Sequence, residues 1–457
     1  MIPFLRRSLL ILSGSIATAV AQQPAAPSPA PEAPEPKTLL DRVDLKDGDT
    51  WVFLGDSITH QCLYTQYVED YYYTRYPKIR VHFHNAGVGG DRAQDALDRF
   101  SGDVASFKPK YVTILLGMND GAYTKYEQAV FDTYQRGMTA LVDQITGLGA
   151  TAIPMTPTMF DSLPSKLGKG PNIIKETYYN GVLSLYGSWL REQASLRGLG
   201  FVDMWGPMND LTFEQRKKNA KWTMIPDAVH PAPTGQVVMA EAIIHDLVPH
   251  SAVGQVTVEV NDSTAKATTG RGTVGKVQKE GDSISFDYTA ISLPWVLPPD
   301  AAEGMKLTNA GHRESVEKVA MRGLKPGKYD LKIDGQTVAT PTAGQLAVGV
   351  ELEANEKTPQ YQQALKVAML NKQRNEQAMH PLRDLWAQRK GRIRNLTKAK
   401  NEGATNVEEL QAAFDKSETE MKPKVDDLLA KVSQFEDQIY QANQPVGHHY
   451  EIVPAGK

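Results

Sequence analysis

Ser57, Gly90, Asn119, Asp227 and His230 are the residues of this chain whose types and order suit acyl transfer. Ser57 follows the apolar run Trp51-Val52-Phe53-Leu54 and the turn Gly55-Asp56, and a helical pattern begins just beyond it. That places a hydroxyl between a buried strand and a helix N-terminus, where backbone N–H groups favour developing negative charge. Three further segments carry polar residues at comparable strand-to-helix junctions. They are Asn85-Ala86-Gly87-Val88-Gly89-Gly90-Asp91, Leu116-Gly117-Met118-Asn119-Asp120 and Pro226-Asp227-Ala228-Val229-His230-Pro231. Each alone has a structural reading. Asp56 and Ser57 can cap a helix, the glycine run can shape a loop, Asn119-Asp120 can form a turn, and Asp227 with His230 can be a local surface pair. Together, at successive edges of one sheet, they supply every part that an acyl-transfer site requires.

The elements that must position them alternate. Short apolar runs at Trp51–Leu54, Val81–His84, Tyr111–Leu116, Ala150–Met155 and Gly200–Met204 predict strands. Amphipathic stretches at His60–Tyr76, Arg92–Phe107, Tyr126–Gly147, Ile173–Arg197 and Thr234–Leu247 predict helices. Strand-helix alternation argues for a parallel sheet covered on both faces. Right-handed crossovers then bring the C-terminal ends of the strands to one edge, where residues distant in sequence meet.

The four segments resemble the four blocks of the SGNH (GDSL-type) hydrolases. Gly55-Asp56-Ser57 matches the nucleophile block, with Ile58 in place of leucine. Asn85, Gly87 and Gly90-Asp91 match the glycine block, Gly117–Asp120 the asparagine block, and Asp227–Pro231 the final block. The resemblance covers residues 39–250 and implies a three-layer α/β/α, flavodoxin-like domain that hydrolyses esters. Ser57 is then the nucleophile, His230 its base and Asp227 the carboxylate that holds the imidazole. The backbone N–H groups of Ser57 and Gly90 and the side-chain amide of Asn119 form the oxyanion hole. Metal and cofactor are not expected. The resemblance implies carboxylic esters, from O-acetyl glycans to lipid esters and thioesters. No long apolar acyl-binding stretch is evident, which favours acetylated carbohydrate over a lysophospholipase-like or broad short-chain esterase activity. Trp222 can stack on a sugar ring or pack beneath the catalytic loop, and Tyr64, Tyr67 and Tyr71 read as core. A non-catalytic glycan-binding protein is the alternative of another class, but it has no physical need of all five residues.

The 457 residues carry 50 basic and 53 acidic side chains, so no global basic field points to nucleic acid. The single cysteine, Cys62, excludes an intrachain disulfide and reads as a small packed residue. Arg6-Arg7, the run Ser8–Val20 and Ala19-Val20-Ala21 predict a signal peptide over residues 1–21, of Sec type or on the twin-arginine route, and hence periplasmic or extracellular export with no transmembrane anchor. Residues 22–38 form an Ala/Pro-rich spacer. From residue 254 to 356 the period becomes two, at Val256–Val260, Ser283–Tyr288, Lys328–Ile333 and Leu346–Val350, which predicts a small antiparallel β-sandwich. Residues 357–442 read as a helical hairpin with an a/d seam at Met421, Val425, Leu428, Val432, Phe435 and Ile439, and a turn at Asn401–Asn406. Pro381 and Pro423 are expected to kink or interrupt it, and the seam offers a route to self-association. In the tail, 443–457, residues 448–453 read as a strand returning to the β domain.

Overall fold

The structure, a computed structural model, describes residues 35, 37–169, 177–249 and 251–456. The signal segment 1–21, almost all of the spacer and the expected start of the helix at Ile173 lie outside the described residues.

Trp51, Val52, Phe53 and Leu54 are fully buried, as expected of a strand covered on both faces, where an unbroken apolar run replaces alternation. They form β1 (Thr50–Gly55), flanked by β2 (His82–Gly87) and β3 (Tyr111–Leu115), with β4 (Thr151–Pro154) beyond β3. All pairs are parallel and the order is β2-β1-β3-β4. The winding reverses between β1 and β3, which makes the crevice above their C-terminal ends the place where such sheets bind ligands. Helices Leu63–Arg75, Ala93–Asp103, Gln128–Gly147, Tyr179–Arg197 and Pro233–Leu247 accompany the sheet. Two expectations are corrected. Gly200–Met204 makes only a single bridge, Val202 to Met155, not a strand. The helix expected from His60 to Tyr76 is split into Ser57–His60 and Leu63–Arg75, because Cys62 adopts a left-handed conformation with φ 56°.

The second part is a sandwich of β5 (Gly254–Val260), β6 (Ala265–Thr269), β7 (Gly272–Val274), β8 (Gln278–Glu280), β9 (Ser283–Ala290), β10 (Glu317–Arg322), β11 (Tyr329–Ile333), β12 (Gln336–Ala339), β13 (Val350–Glu351) and β14 (His448–Pro454). One sheet runs β13-β10-β5-β6 and the other β12-β11-β14-β9-β7, with β8 on β9. Alternate side chains of both, among them Val256, Val258, Phe286, Met321, Leu331 and Ile452, fill one core. The sandwich is not wholly antiparallel as expected: β10 lies parallel to β5. Between β9 and β10 the chain crosses to the helix Leu63–Arg75, where Trp295 Nε1 donates to the Tyr67 carbonyl at 3.0 Å, and it re-enters beside β5 in the same direction as that strand. Leu346–Val350, expected as a strand, lies mostly in the helix Ala343–Val348, which Thr342 and Gln345 cap reciprocally before β13 begins at Val350.

The excursion between β13 and β14 comprises helices Pro359–Arg374, His380–Asn401 and Val407–Ala442, with a π-helical turn over Asn375–Met379. That turn sits immediately before Pro381, whose ring would crowd a regular helical ladder. At Pro423, by contrast, the helix runs on without the expected interruption. The seam residues Val425, Leu428 and Val432 pack with Ala378, Met379, Leu382, Trp386 and Cys62 of the same chain. Fully buried Arg374 pairs with Glu436 (3.3 Å) of the excursion itself and with Glu69 (3.2 Å) of the helix Leu63–Arg75, and it donates to the Phe83 carbonyl of β2 at 2.6 Å, tying the excursion to the parallel sheet. Among the described residues, no helix is long and apolar enough to cross a membrane.

Candidate active site

The chain leaves β1 at Gly55, and Asp56 caps the next turn by accepting the Ile58 N–H at 2.9 Å. Ser57 therefore opens the four-residue helix Ser57–His60 with its side chain half-buried at the sheet edge. The segment 227–231 lies against it just ahead of the helix Pro233–Leu247. Asp227 Oδ1 accepts the backbone N–H groups of Val229 (3.0 Å) and His230 (2.7 Å), and Ala228 takes a left-handed φ of 77° to close this tight turn. The turn aims His230 in both directions. Its Nδ1 lies 2.7 Å from Asp227 Oδ2 and its Nε2 lies 2.8 Å from Ser57 Oγ.

The electrostatics follow from those contacts. Burial works to raise the Asp227 carboxyl, but the imidazole and the two N–H donors outweigh it and hold the group down at about 2. The Asp227 hydrogen bond raises His230 above the ordinary imidazole value, against the opposing effect of its own burial. Asp56 behaves differently. Burial pushes it up to about 7, although the Ile58 N–H and nearby His230 favour its charged form.

The glycine block runs from the end of β2. Gly87 packs directly on the turn after Ser57: a Cβ there would lie 2.3 Å from the His60 nitrogen and 2.6 Å from the Thr59 carbonyl carbon. Gly90 is left-handed, φ 68°, and exposed. Asp91 follows, fully buried, and its Oδ2 accepts Arg99 Nε at 2.8 Å. The same guanidinium donates to the Ala86 carbonyl (2.7 Å), the Gly55 carbonyl (3.2 Å) and Asp103 Oδ2 (2.6 Å), so one buried arginine pins the ends of β1 and β2. Asn119, beyond β3, donates from Nδ2 to the Asp91 carbonyl (3.0 Å) and to Asp56 Oδ2 (3.2 Å). Its Oδ1 accepts the Tyr123 hydroxyl at 2.9 Å, which fixes which end of the amide faces the serine turn. Left-handed Ala122 and Tyr123 bend the chain back to allow this.

The structure thus joins Ser57, His230 and Asp227 by hydrogen bonds and links Asn119 to the residue after Gly90. Trp222 is half-buried against the hydrophobic core, and its carbonyl accepts Arg216 Nε at 2.9 Å. Asn85 serves the scaffold, bonding Thr59, Thr65 and Gly87. Cys62 is buried and its thiol is pushed up by burial to about 12. Tyr64, Tyr67 and Tyr71 are core residues. Sequence reasoning missed Arg99 and Tyr123. Arg99 had one signal, an aspartate four residues on in a helix whose inner face is otherwise apolar.

Residues 53–238 match the model of the GDSL-like lipase/acylhydrolase family. An acetylxylan esterase of Geobacillus stearothermophilus is 24% identical over 222 residues, covering 44% of this chain and 94% of that protein. The solved structure of a gut microbial diltiazem-metabolizing enzyme is similar with a TM-score of 0.77 at 26% identity, covering 91% of this chain and 100% of that one. That coverage extends the likeness through the sandwich and the hairpin. The match falls on the domain built on β1–β4 and is consistent with a GDSL-type, or SGNH, hydrolase. The protein is a carboxylic ester hydrolase.

Proposed function

We propose that the protein is an exported serine esterase that removes O-acetyl groups from carbohydrate through an acyl-enzyme. The observation that carries the mechanism is His230, which spans Ser57 Oγ at 2.8 Å and Asp227 Oδ2 at 2.7 Å. Ser57 Oγ attacks the ester carbonyl as its proton passes to His230 Nε2, and the carbonyl π pair moves onto oxygen. The resulting oxyanion is held by the Ser57 and Gly90 N–H groups and by Asn119 Nδ2. Of the two Asn119 bonds, the 3.2 Å one to Asp56 is the longer and is the one an oxyanion replaces. Collapse breaks the bond to the alcohol oxygen, which takes the proton from His230. Water, deprotonated by the same imidazole, then attacks the acyl-enzyme and releases the acid and free Ser57.

The acetylxylan esterase relative supports acetylated carbohydrate as substrate. Export rests on the sequence of residues 1–21 alone. A second reading, a broad short-chain esterase, is favoured by the similar structure that covers 91% of this chain, that of a diltiazem-metabolizing enzyme. The deciding experiment measures acetate release from acetylated xylan and acetylated oligosaccharides beside aryl acetates and long-chain lipid esters, with Ser57→Ala as control. Carbohydrate acetates are expected to give the highest kcat/KM, with no turnover by the variant. A preference for aryl acetates favours the second reading, and activity confined to long-chain lipid esters overturns both.

A further inference from the structure

The helix His380–Asn401 lies about 300 residues from the glycine block in sequence, yet its Lys390 bonds that block twice. Lys390 Nζ donates to the Gly89 carbonyl at 3.1 Å and to Asp91 Oδ1 at 2.5 Å. Its side chain is only 10% exposed and that of Asp91 is fully buried. On the other side of the same residue, the Gly89 N–H donates to His60 Nδ1 at 3.2 Å, and His60 Nε2 sits 3.3 Å from Asp384 of the same helix. Seven residues before Lys390, Arg383 makes a two-pronged contact with Asp103 (2.7 and 2.9 Å). Four residues after it, Arg394 meets Asp95 (3.0 and 3.1 Å). Spacings of seven and four put Arg383, Lys390 and Arg394 on one helical face, which meets a row of carboxylates on the glycine block and the helix behind it.

Arg383 and Arg394 hold helix to helix. Lys390 does something more local, since its two acceptors belong to the residues on either side of Gly90. It also shares with Arg99 the carboxylate of Asp91, taking Oδ1 where Arg99 takes Oδ2, and the carbonyl of Asp91 orients the Asn119 amide. One ammonium therefore bears on both donors that are not part of the serine itself. Without the ammonium, Asp91 Oδ2 keeps Arg99, but the buried Asp91 Oδ1 and the Gly89 carbonyl lose their shared donor, so the turn must rearrange to find water or a new one. A shift of a few tenths of an ångström there moves the Gly90 N–H off the oxyanion.

We infer that Lys390 is a positioning residue for the oxyanion hole, so that the hairpin inserted between β13 and β14 is part of the catalytic unit. The inference rests on the assignment of Gly90 and Asn119 as oxyanion donors. Deleting such a donor outright costs about 100- to 1000-fold. Displacing it, as in Lys390→Met, is expected to lower kcat for an aryl acetate by about 10- to 100-fold while KM stays within about twofold. Lys390→Arg, which keeps the charge, should recover part of the lost kcat, and that rescue is not expected of a residue that only braces the fold. The full-length protein is used throughout, with thermal melting to report on folding. Should Lys390→Met not fold, Lys390→Gln, polar but uncharged and one atom shorter in reach, carries the same kcat test. Wild-type kcat in the folded Met or Gln variant overturns the inference, as does a loss confined to KM or equal kcat in the Met and Arg variants. Ser57→Ala is run in parallel: if it retains turnover, the active-site assignment itself falls; if it is inert while Lys390→Met turns over normally, only the positioning role falls.

Discussion

Asp227→Asn tests the triad more sharply than its deletion does, and the reason lies in how the carboxylate is used. Asp227 Oδ1 already accepts two backbone N–H groups, from Val229 and His230, while Oδ2 faces His230 Nδ1. In an asparagine the oxygen must stay with those two donors, since an NH2 group there would point its hydrogens at theirs. The amide nitrogen then faces His230 Nδ1 and donates to it. The neutral imidazole is forced to carry its proton on Nε2, the atom 2.8 Å from Ser57 Oγ. A nitrogen already bearing hydrogen cannot accept the serine proton. The wrong tautomer cost about 10,000-fold in the corresponding substitution of a serine protease, or about 5.4 kcal/mol of barrier. Because Asp227 and His230 are 38% and 33% exposed here, water competes for the imidazole, and we expect about 1,000- to 10,000-fold in kcat. Asp227→Ala imposes no tautomer and should retain about tenfold more activity than the asparagine variant. Both are measured on a chromogenic acetate at pH 8, with melting curves to confirm folding. An asparagine variant within tenfold of wild type, or one more active than the alanine variant, refutes the tautomer argument.

Other outcomes are equally definite. Asn119→Ala should lower kcat by about 100- to 1000-fold with little change in KM; a pure KM effect would make Asn119 a binding residue only. His230 must be neutral to act, and its value lies above the ordinary 6.5, so kcat/KM should fall as pH drops through that raised value; in Asp227→Asn the limb should move down toward 6.5. The sign for stability is opposite for the two partners. The His230 contribution is complete below pH 6.5 and fades as pH rises through its folded value, whereas that of Asp227 is present above 3.8 and is lost as pH falls toward 2. Melting temperatures across those two windows check both signs. Gly87→Ala forces a methyl group to 2.3 Å from the His60 nitrogen and should destabilise by about 2 kcal/mol or more, read by denaturant titration. Arg374→Met takes the paired cation from buried Glu69, whose remaining bond is to the Asn375 amide, and should cost about 3–5 kcal/mol by the same assay.

How much of this was legible in the sequence depended on the range of the interaction involved. The unbroken apolar run of β1 and the alternation of β9 follow from which faces are covered, a property each strand carries locally. The candidate site segments were readable because each is a short turn whose residues meet within a few positions of one another, as Asp227 and His230 do. Leu346–Val350 alternated like a strand, but the cap formed by Thr342 and Gln345 prevailed. Gly200–Met204 was apolar enough for a strand, yet Asp203 takes the Trp205 and Gly206 N–H groups and starts a helix, leaving Val202 one bridge. Lys390 was not legible at all. On a charged helix it looks like any solvated lysine, and its acceptors are a backbone carbonyl and a carboxylate on another element about 300 residues away.

The position of β14 has a consequence for how the molecule is made. It follows the whole helical excursion in sequence, yet it lies between β11 and β9, bonded to both. Until it arrives, those two strands present facing edges with no mate, the arrangement most open to pairing with another chain. Closing the gap requires contacts between residues as far apart as Asp287 and His449, which are slow to find because long loops must close first. The same event brings the two ends of the excursion together. A grip on the glycine block by its middle helix therefore belongs to the end of folding, so catalytic competence should trail the hydrolytic sheet in a refolding time course.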